Sequence, residues 1–278
     1  MRKSKRSVLM TKKITTAVGI LSWAMLIGAP AFANPYPASA SRRHYQLAAP
    51  SSSTEENRHS DEFSTLVEKL KSQSAPDRRD AAEKLGYLED RRAVDPLLGV
   101  LKDQDPDVRA ATADALGLLG DKRAVEPLIG LLADGIAFVR SAAARVLGQL
   151  ADARAVDPLI LALKDSSSSV RGAAAMGLGS LRDGRAVPQL VLIVRDDAPD
   201  VRTAVASALG ALRDGRAVDA LVQLLKDEYK MVKVTAALSL ADIGEKKAVA
   251  PLNEAVTNEK DEEARSQMKE ALQRLLAK

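Results

Sequence analysis

The chain has 278 residues, 41 Lys and Arg against 37 Asp and Glu for a formal charge of +4, and no cysteine. The missing cysteine excludes disulfides, thiol catalysis, lipid attachment through sulfur and cysteine metal sites. With 3% aromatic residues, any core must be built from Ala, Leu, Val and Ile, which suits closely packed helices better than a sheet sandwich.

The positive balance belongs to the first stretch. Residues 1–33 hold Arg2, Lys3, Lys5, Arg6, Lys12 and Lys13 and no acidic residue; without these six, 35 basic residues face 37 acidic ones, a net of −2. Lys13 is followed by the uncharged, mostly apolar run Ile14 to Gly28 and then by Ala29-Pro30-Ala31-Phe32-Ala33. A charged start, an apolar middle and small residues at −3 and −1 of a cut after Ala33 predict a secretory signal peptide over 1–33. An uncleaved anchor is the alternative, but the apolar run is shorter than the ~20 residues a bilayer span needs, and Pro30, Pro35 and Pro37 interrupt its continuation. Both readings place the rest of the chain outside the cytoplasm, periplasmic or secreted from a bacterium, with no membrane insertion once the leader is removed.

Residues 34–60 are rich in Pro, Ala, Ser, Arg and Glu without periodicity, which predicts a disordered linker. Both histidines, His44 and His59, fall there and read as solvated linker residues.

The remainder repeats. Arg-Ala-Val begins at Arg92, Arg123, Arg154, Arg185 and Arg216, always 31 residues apart, and returns as Lys247-Ala248-Val249. Val-Arg keeps the same step at Val108, Val139, Val170 and Val201, and Val232-Lys233 closes the series. Two phrases locked to one period predict a solenoid with repeats at 61–91, 92–122, 123–153, 154–184, 185–215, 216–246 and 247–278. Within each, apolar residues at helical spacing, as in Ala124 to Leu132 and Val139 to Leu150, predict an antiparallel helix pair, A then B. Asp90, Asp121, Asp152, Asp183 and Asp214, with Glu245 sixth, stand where a helix A N-cap belongs. Pro96, Pro127, Pro158 and Pro251 fall in its early turns, and Asp105-Pro106 reads as N-cap and N1 of a helix B. Gly86, Gly117, Gly148, Gly179 and Gly210, with Ala241 sixth, recur inside helix B. A helical glycine costs about 1 kcal/mol against alanine, so its repetition predicts close helix crossing and not a phosphate loop. Arg109, Arg140, Arg171 and Arg202, with Lys233, each follow by six residues an acid, Asp103, Asp134, Asp165, Asp196 and Asp227. That spacing predicts a structural ladder of ion pairs across the A-to-B turns, with Arg78 as a further member; an anion-binding stripe is the weaker alternative, since each cation has its own acid.

The run Asp105-Pro106-Asp107-Val108-Arg109-Ala110-Ala111, with Ala115-Leu116-Gly117-Leu118-Leu119-Gly120-Asp121-Lys122-Arg123-Ala124-Val125-Glu126-Pro127-Leu128, resembles the HEAT-like repeat of the phycobilisome lyase family. It is also similar to the consensus of designed alpha-helical repeat proteins. The resemblance covers 61–278 and implies an all-α solenoid, a right-handed superhelix with A helices convex, B helices lining the concave side, and binding carried by variable B-helix positions.

Positions that change within a fixed periodic frame are free to serve a partner. On helix B these are Arg79, Glu83 and Tyr87; Asp107, Ala110, Asp114 and Leu118; Phe138, Ser141, Arg145 and Gln149; Gly172, Met176 and Ser180; Asp200, Thr203 and Ser207; and Met231, Val234, Leu238 and Asp242. Their i, i+4, i+8 spacing puts each set on one helix face. Tyr87, Leu118, Phe138, Arg145, Gln149, Met176, Ser180, Met231 and Leu238 are the expected partner-binding residues of a concave groove; filling gaps in the stack is the competing role. The terminal repeats differ, and the charged run Asn258 to Glu263 reads as a solvated cap.

The expected function is an exported, non-catalytic scaffold or adaptor, a monomer that binds a protein or peptide, with no catalytic, cofactor or metal site. The alternative is a lyase-like or chaperone-like subunit, because relatives in the resembled family attach or isomerise bilins. Export away from cytoplasmic pigment proteins and the lack of Cys and of His in the repeats argue against it. Metal-dependent hydroxylase relatives with His-Glu pairs are excluded because no His-Glu occurs. The acidic balance beyond the leader, together with export, argues against nucleic acid.

Overall fold

The computed structural model describes residues 52–278, with side chains from Ser60 onward. The signal peptide expected over 1–33 and most of the linker expected over 34–60 lie outside the described residues. Among the described residues fourteen α-helices follow one another: α1 (Ser52–Lys69), α2 (Ala75–Tyr87), α3 (Val94–Val100), α4 (Pro106–Leu119), α5 (Val125–Leu131), α6 (Ala137–Leu150), α7 (Val156–Ala162), α8 (Ser168–Leu181), α9 (Val187–Leu192), α10 (Pro199–Leu212), α11 (Val218–Leu224), α12 (Lys230–Ile243), α13 (Val249–Asn258) and α14 (Glu262–Leu276). Odd numbers are A helices and even numbers B helices, so the expected all-α solenoid of helix pairs is what the chain forms. α1 begins at Ser52, inside the stretch read as linker.

The Arg-Ala-Val phrase builds a compound start for helix A. A 3₁₀ turn such as Lys122–Ala124 precedes α5, and the Asp121 carboxylate accepts a hydrogen bond from the Arg123 N–H. Asp90, Asp152, Asp183 and Asp214 do the same in their repeats. Glu245 does not: its extra methylene carries the carboxylate past the short Asp geometry. Asp105 caps α4, accepting from the N–H groups of Asp107 and Val108, with Pro106 at the first helical position.

Burial follows the period. Leu97, Leu128, Leu159, Leu190, Leu221 and Leu252 of the A helices, and Leu85, Leu116, Leu147, Leu178, Leu209 and Leu240 of the B helices, are fully buried. Burying each such side chain is worth about 1.5–3 kcal/mol, and a 31-residue register presents the same pair to every junction. B helices of successive repeats pack directly on one another, whereas successive A helices meet weakly. Glycine sets that asymmetry. A Cβ on Gly148 would lie 2.4 Å from the Gly177 Cα, and one on Gly86 would lie 2.7 Å from the Ala115 Cα. The more tightly spaced layer is the inner one of a curved stack, so the B helices line the concave side. On the outer side the A helices splay, leaving clefts of about 500 Å³ between α1 and α3 and about 470 Å³ between α11 and α13.

The ladder exists, but its pairing differs from the expectation. Each arginine grips the acid of the next repeat, 25 residues ahead, not the one six residues behind. Arg78 Nε lies 2.7 Å from Asp103, Arg109 Nε 2.7 Å from Asp134, Arg140 Nε 2.7 Å from Asp165, Arg171 Nε 2.6 Å from Asp196 and Arg202 Nε 2.7 Å from Asp227. A second nitrogen, Nη2, closes each pair into a bidentate fork. The remaining Nη1 of Arg109, Arg140, Arg171 and Arg202 donates to the backbone carbonyl of the residue six behind. An arginine side chain is long enough to cross to the next turn, and its own turn offers it a carbonyl in place of the carboxylate, whose Oδ1 already accepts the N–H two residues ahead of it, as in Asp165 with Ser167. Lys233 ends the series on Glu259. Glu259 is 8% exposed and accepts the N–H groups of Lys260 and Asp261, so the charged run 258–263 holds a buried ladder acid and is not simply a solvated cap. Among the described residues no buried side-chain polar atom lacks a hydrogen-bond partner.

Candidate partner-binding face

On the inner layer, four of the nine expected partner-binding residues are exposed apolar side chains: Tyr87 (61% exposed), Leu118, Phe138 (46%) and Met231 (55%). Tyr87 and Leu118 sit at the C-terminal ends of α2 and α4, Phe138 and Met231 in the first turns of α6 and α12. Their aligned positions place them along two rows that cross the B helices, one near each edge of the layer.

Polar members of the frame are tied to each other. Arg145 is exposed and forms an ion pair with Asp114 one repeat earlier; Arg79 reaches Glu83 at 3.5 Å; Arg274 reaches Asp242 at 2.6 Å. Gln149 is exposed at the row of Tyr87 and Leu118. Ser180 is half-buried and donates from Oγ to the Met176 carbonyl at 3.2 Å, the local bond by which serine satisfies itself inside a helix. Met176 and Leu238 are partly buried against the core, and Val234 is buried. These three lie under the face more than on it, which is the gap-filling role weighed for them from the sequence.

Electrostatics separate the ladder from the face. The Arg140 guanidinium, joined by the Ser167 N–H, holds the Asp165 carboxyl below its usual range, and Arg78 and Arg171 do the same for Asp103 and Asp196. Charges so engaged stay with their partners. Asp107 and Asp200, by contrast, stand exposed in the row of Phe138.

Several exposed apolar residues lie outside the expected set. Ile136 and Tyr229 are the N-cap residues of α6 and α12, two positions before Phe138 and Met231, and Tyr229 lies under the Arg202 guanidinium at 5.5 Å. Leu161 and Leu192 (74% exposed) face outward from α7 and α9. All four occupy positions that vary with the period, Leu161 and Leu192 replacing Gly99, Gly130 and Gln223 of sister repeats, so the same comparison extended to turns and A helices finds them.

The profile described as HEAT repeats matches residues 63–138, 137–209 and 187–273. The chain belongs to the HEAT repeat family. A chain of the complex of CpcE and CpcF of phycocyanin lyase from Nostoc sp. PCC7120 is 28% identical, with 77% of this chain and 87% of that one covered and a TM-score of 0.53. An engineered protein is 22% identical over 77% of this chain and 68% of its own, with a TM-score of 0.52. Kap95p bound to RanGDP matches at 14% identity over 80% of this chain and 37% of that one, with a TM-score of 0.61. The last two are likenesses of fold alone. A search of curated proteins gave no match. Among the described residues, no helix is long and apolar enough to cross a membrane, and no group of three or more His, Asp or Glu side chains is placed to hold a metal ion.

Proposed function

We propose that this HEAT repeat protein is an exported, non-catalytic scaffold or adaptor that binds a protein or peptide partner on its concave face. One observation carries the reading: within a frame whose recurring leucines, glycines and ladder arginines are committed to stacking, Tyr87, Leu118, Phe138 and Met231 stay exposed on the inner layer. Large apolar and aromatic side chains on a concave surface, ringed by polar neighbours, are the composition of an interface core. Export rests on the leader pattern of 1–33. The test is a crosslinking pull-down from the native envelope fraction with the chain from Asn34 as bait, beside a variant carrying Tyr87→Asp, Leu118→Asp, Phe138→Asp and Met231→Asp whose helix content matches the parent by circular dichroism. A protein retained by the parent and lost by the variant supports the reading; identical recovery from both removes the concave face from it.

A second reading is favoured by the 28% identity to a chain of the phycocyanin lyase complex: a lyase-like subunit that handles a bilin together with a partner. Its test is optical. A bilin added to the protein keeps its free absorption spectrum if the scaffold reading is right and shifts it if the subunit reading is right.

A further inference from the structure

Exposed apolar side chains on the A-to-B edge of the inner layer come in two doublets. Ile136 with Phe138 opens α6, and Tyr229 with Met231 opens α12. The same two positions hold Asp105 and Asp107, Ser167 and Ser169, and Ala198 and Asp200 in the other inner repeats, so the doublets stand three repeats apart with a low polar saddle between them. Gly172 deepens the saddle: a Cβ there would touch nothing closer than 4.0 Å. The row of Phe138 and Met231 also contains Asp107, Asp200 and Glu263 and no base. Glu263 is taken by Lys230, the cation next to Tyr229, at 3.3 Å. Asp107 and Asp200 sit in the first turns of α4 and α10, where the helix dipole accommodates them, and both are exposed to a ligand. The row's free charge is therefore negative. The lysines of this edge, Lys102, Lys164 and Lys226, stand on the other side of the turns, at the ends of the A helices.

Packed helices lie 8–10 Å apart, so three repeats set the doublets about 24–30 Å from each other. Extended chain rises ~3.3 Å per residue, which converts that span into about seven to nine residues. We infer that this rim takes an extended segment of a partner protein bearing two apolar anchors seven to nine residues apart, with a Lys or Arg between them facing Asp200. The inference rests on the scaffold reading and gives its partner a chemistry. One anchor alone binds weakly; the second engages at the high effective concentration its tether sets, provided the spacing fits. The saddle of Ser167, Ser169 and Gly172 lets the intervening backbone pass close to the surface.

The experiment is selection of 16-residue random peptides displayed on phage against the protein, then fluorescence anisotropy of the enriched peptides against three proteins. These are the parent, a Phe138→Ser/Met231→Ser variant and a Met176→Asp/Leu238→Asp variant, each checked for helix content. The expected result is a consensus of two apolar positions seven to nine apart with Lys or Arg between, binding at least tenfold more weakly to the Phe138/Met231 variant, and several-fold more weakly when that base is changed to Glu. Peptides without the spacing, or binding the Phe138/Met231 variant within twofold of the parent, overturn the inference. Peptides that lose binding only to the Met176/Leu238 variant overturn it while leaving the scaffold reading in place. No enrichment over an unrelated target sinks both. Sedimentation that rises with protein concentration, and is abolished by Phe138→Ser/Met231→Ser, would assign the rim to a second copy of this chain and overturn the inference as well.

Discussion

The junction between α6 and α8 and the junction between α12 and α14 solve the same stacking problem with different parts. At the first, two glycines face each other so closely that a Cβ on Gly148 would fall 2.4 Å from the Gly177 Cα, and a bidentate arginine, Arg140 on Asp165, ties the edge. At the second, Ala241 takes the glycine position, Lys233 replaces the arginine and Glu259 the aspartate. Lys278 donates from Nζ to the carbonyls of Ala241 and Asp242, and Arg274 pairs with Asp242. An inner junction relies on close backbone approach and rigid geometry, whereas the last one is held at its margins by long flexible side chains. Cooperativity in a repeat array depends on the junctions between neighbours, so the last repeat should be the first to fray.

The largest effect that separates the two junctions comes from adding a methyl group. Gly148→Ala places its Cβ against backbone that cannot swing aside, and overpacking of that kind costs about 1–3 kcal/mol even after the ~1 kcal/mol of helix propensity that alanine returns. Ala241→Gly at the last junction creates no clash and should cost only about 1 kcal/mol. Urea unfolding of both variants decides it. Equal losses would mean that the glycine row does not set the spacing.

Next in size is the ladder. Arg140→Ala strands the Asp165 carboxylate and the Asp134 carbonyl at a half-buried edge, and loses about 1–2 kcal/mol, between the cost of breaking a fully buried pair and that of an exposed one. Lys233→Ala removes a single-nitrogen donor and should lose about half as much, read from the same urea midpoints. The same bonds predict a pH dependence. Because Arg140 and its counterparts hold Asp165, Asp103 and Asp196 below their unfolded range, the folded state favours the charged carboxylates. Their stabilisation is fully present above the unfolded pKa of about 4 and is lost as pH falls through the lower folded values. Thermal midpoints measured between pH 7 and pH 2.5 should be flat above about pH 5 and then drop, with a shallower drop in Asp165→Asn.

That ladder also shows how far a sequence can be read. The period, the helix pairs, the Asp caps and the glycine row are all visible as recurrences, because each is a local demand repeated every 31 residues. Which acid an arginine holds is not visible in the same way. In an array of period 31, an acid six residues behind and one 25 ahead occupy the same register, and only the length of the side chain and the path of the turn choose between them. The candidate face divides similarly. Phe138, Tyr87, Leu118 and Met231 are exposed as their variability suggests, while Met176 and Leu238 vary equally yet pack partly on the core, because variation marks freedom from the repeat consensus and not exposure. Ile136 and Tyr229 escape a comparison confined to helix positions, since they stand at N-caps.

Smaller still is the effect of the helix C-caps. Gly120 and Gly244 end α4 and α12 in the left-handed region, where Ala151, Arg182 and Arg213 end α6, α8 and α10. A residue with a Cβ pays about 1 kcal/mol or more there, so Ala151→Gly should stabilise the central repeats by about 0.5–1 kcal/mol. The gain makes the inner junctions more unlike the last one, and hydrogen exchange would show added protection in α6 and α7 with none in α14.

The smallest effect tests whether position, and not residue type, gives the ladder arginines their weight. Arg154 makes as many polar contacts as Arg140: it donates to Asp152, to Glu126 at 3.5 Å and to the Lys122 carbonyl. Its side chain is 48% exposed, against 14% for Arg140. Asp152 is held down at about 2 by the hydrogen bond from Arg154 and by its N–H, yet both groups remain solvated, and exposed pairs contribute about 0–1 kcal/mol, less in salt. Arg154→Ala should therefore shift the urea midpoint far less than Arg140→Ala does, and added NaCl should erase most of that small shift. A loss as large as that of Arg140→Ala would mean that the outer row of arginines also ties repeat to repeat, and that the splayed A layer is held as firmly as the inner one.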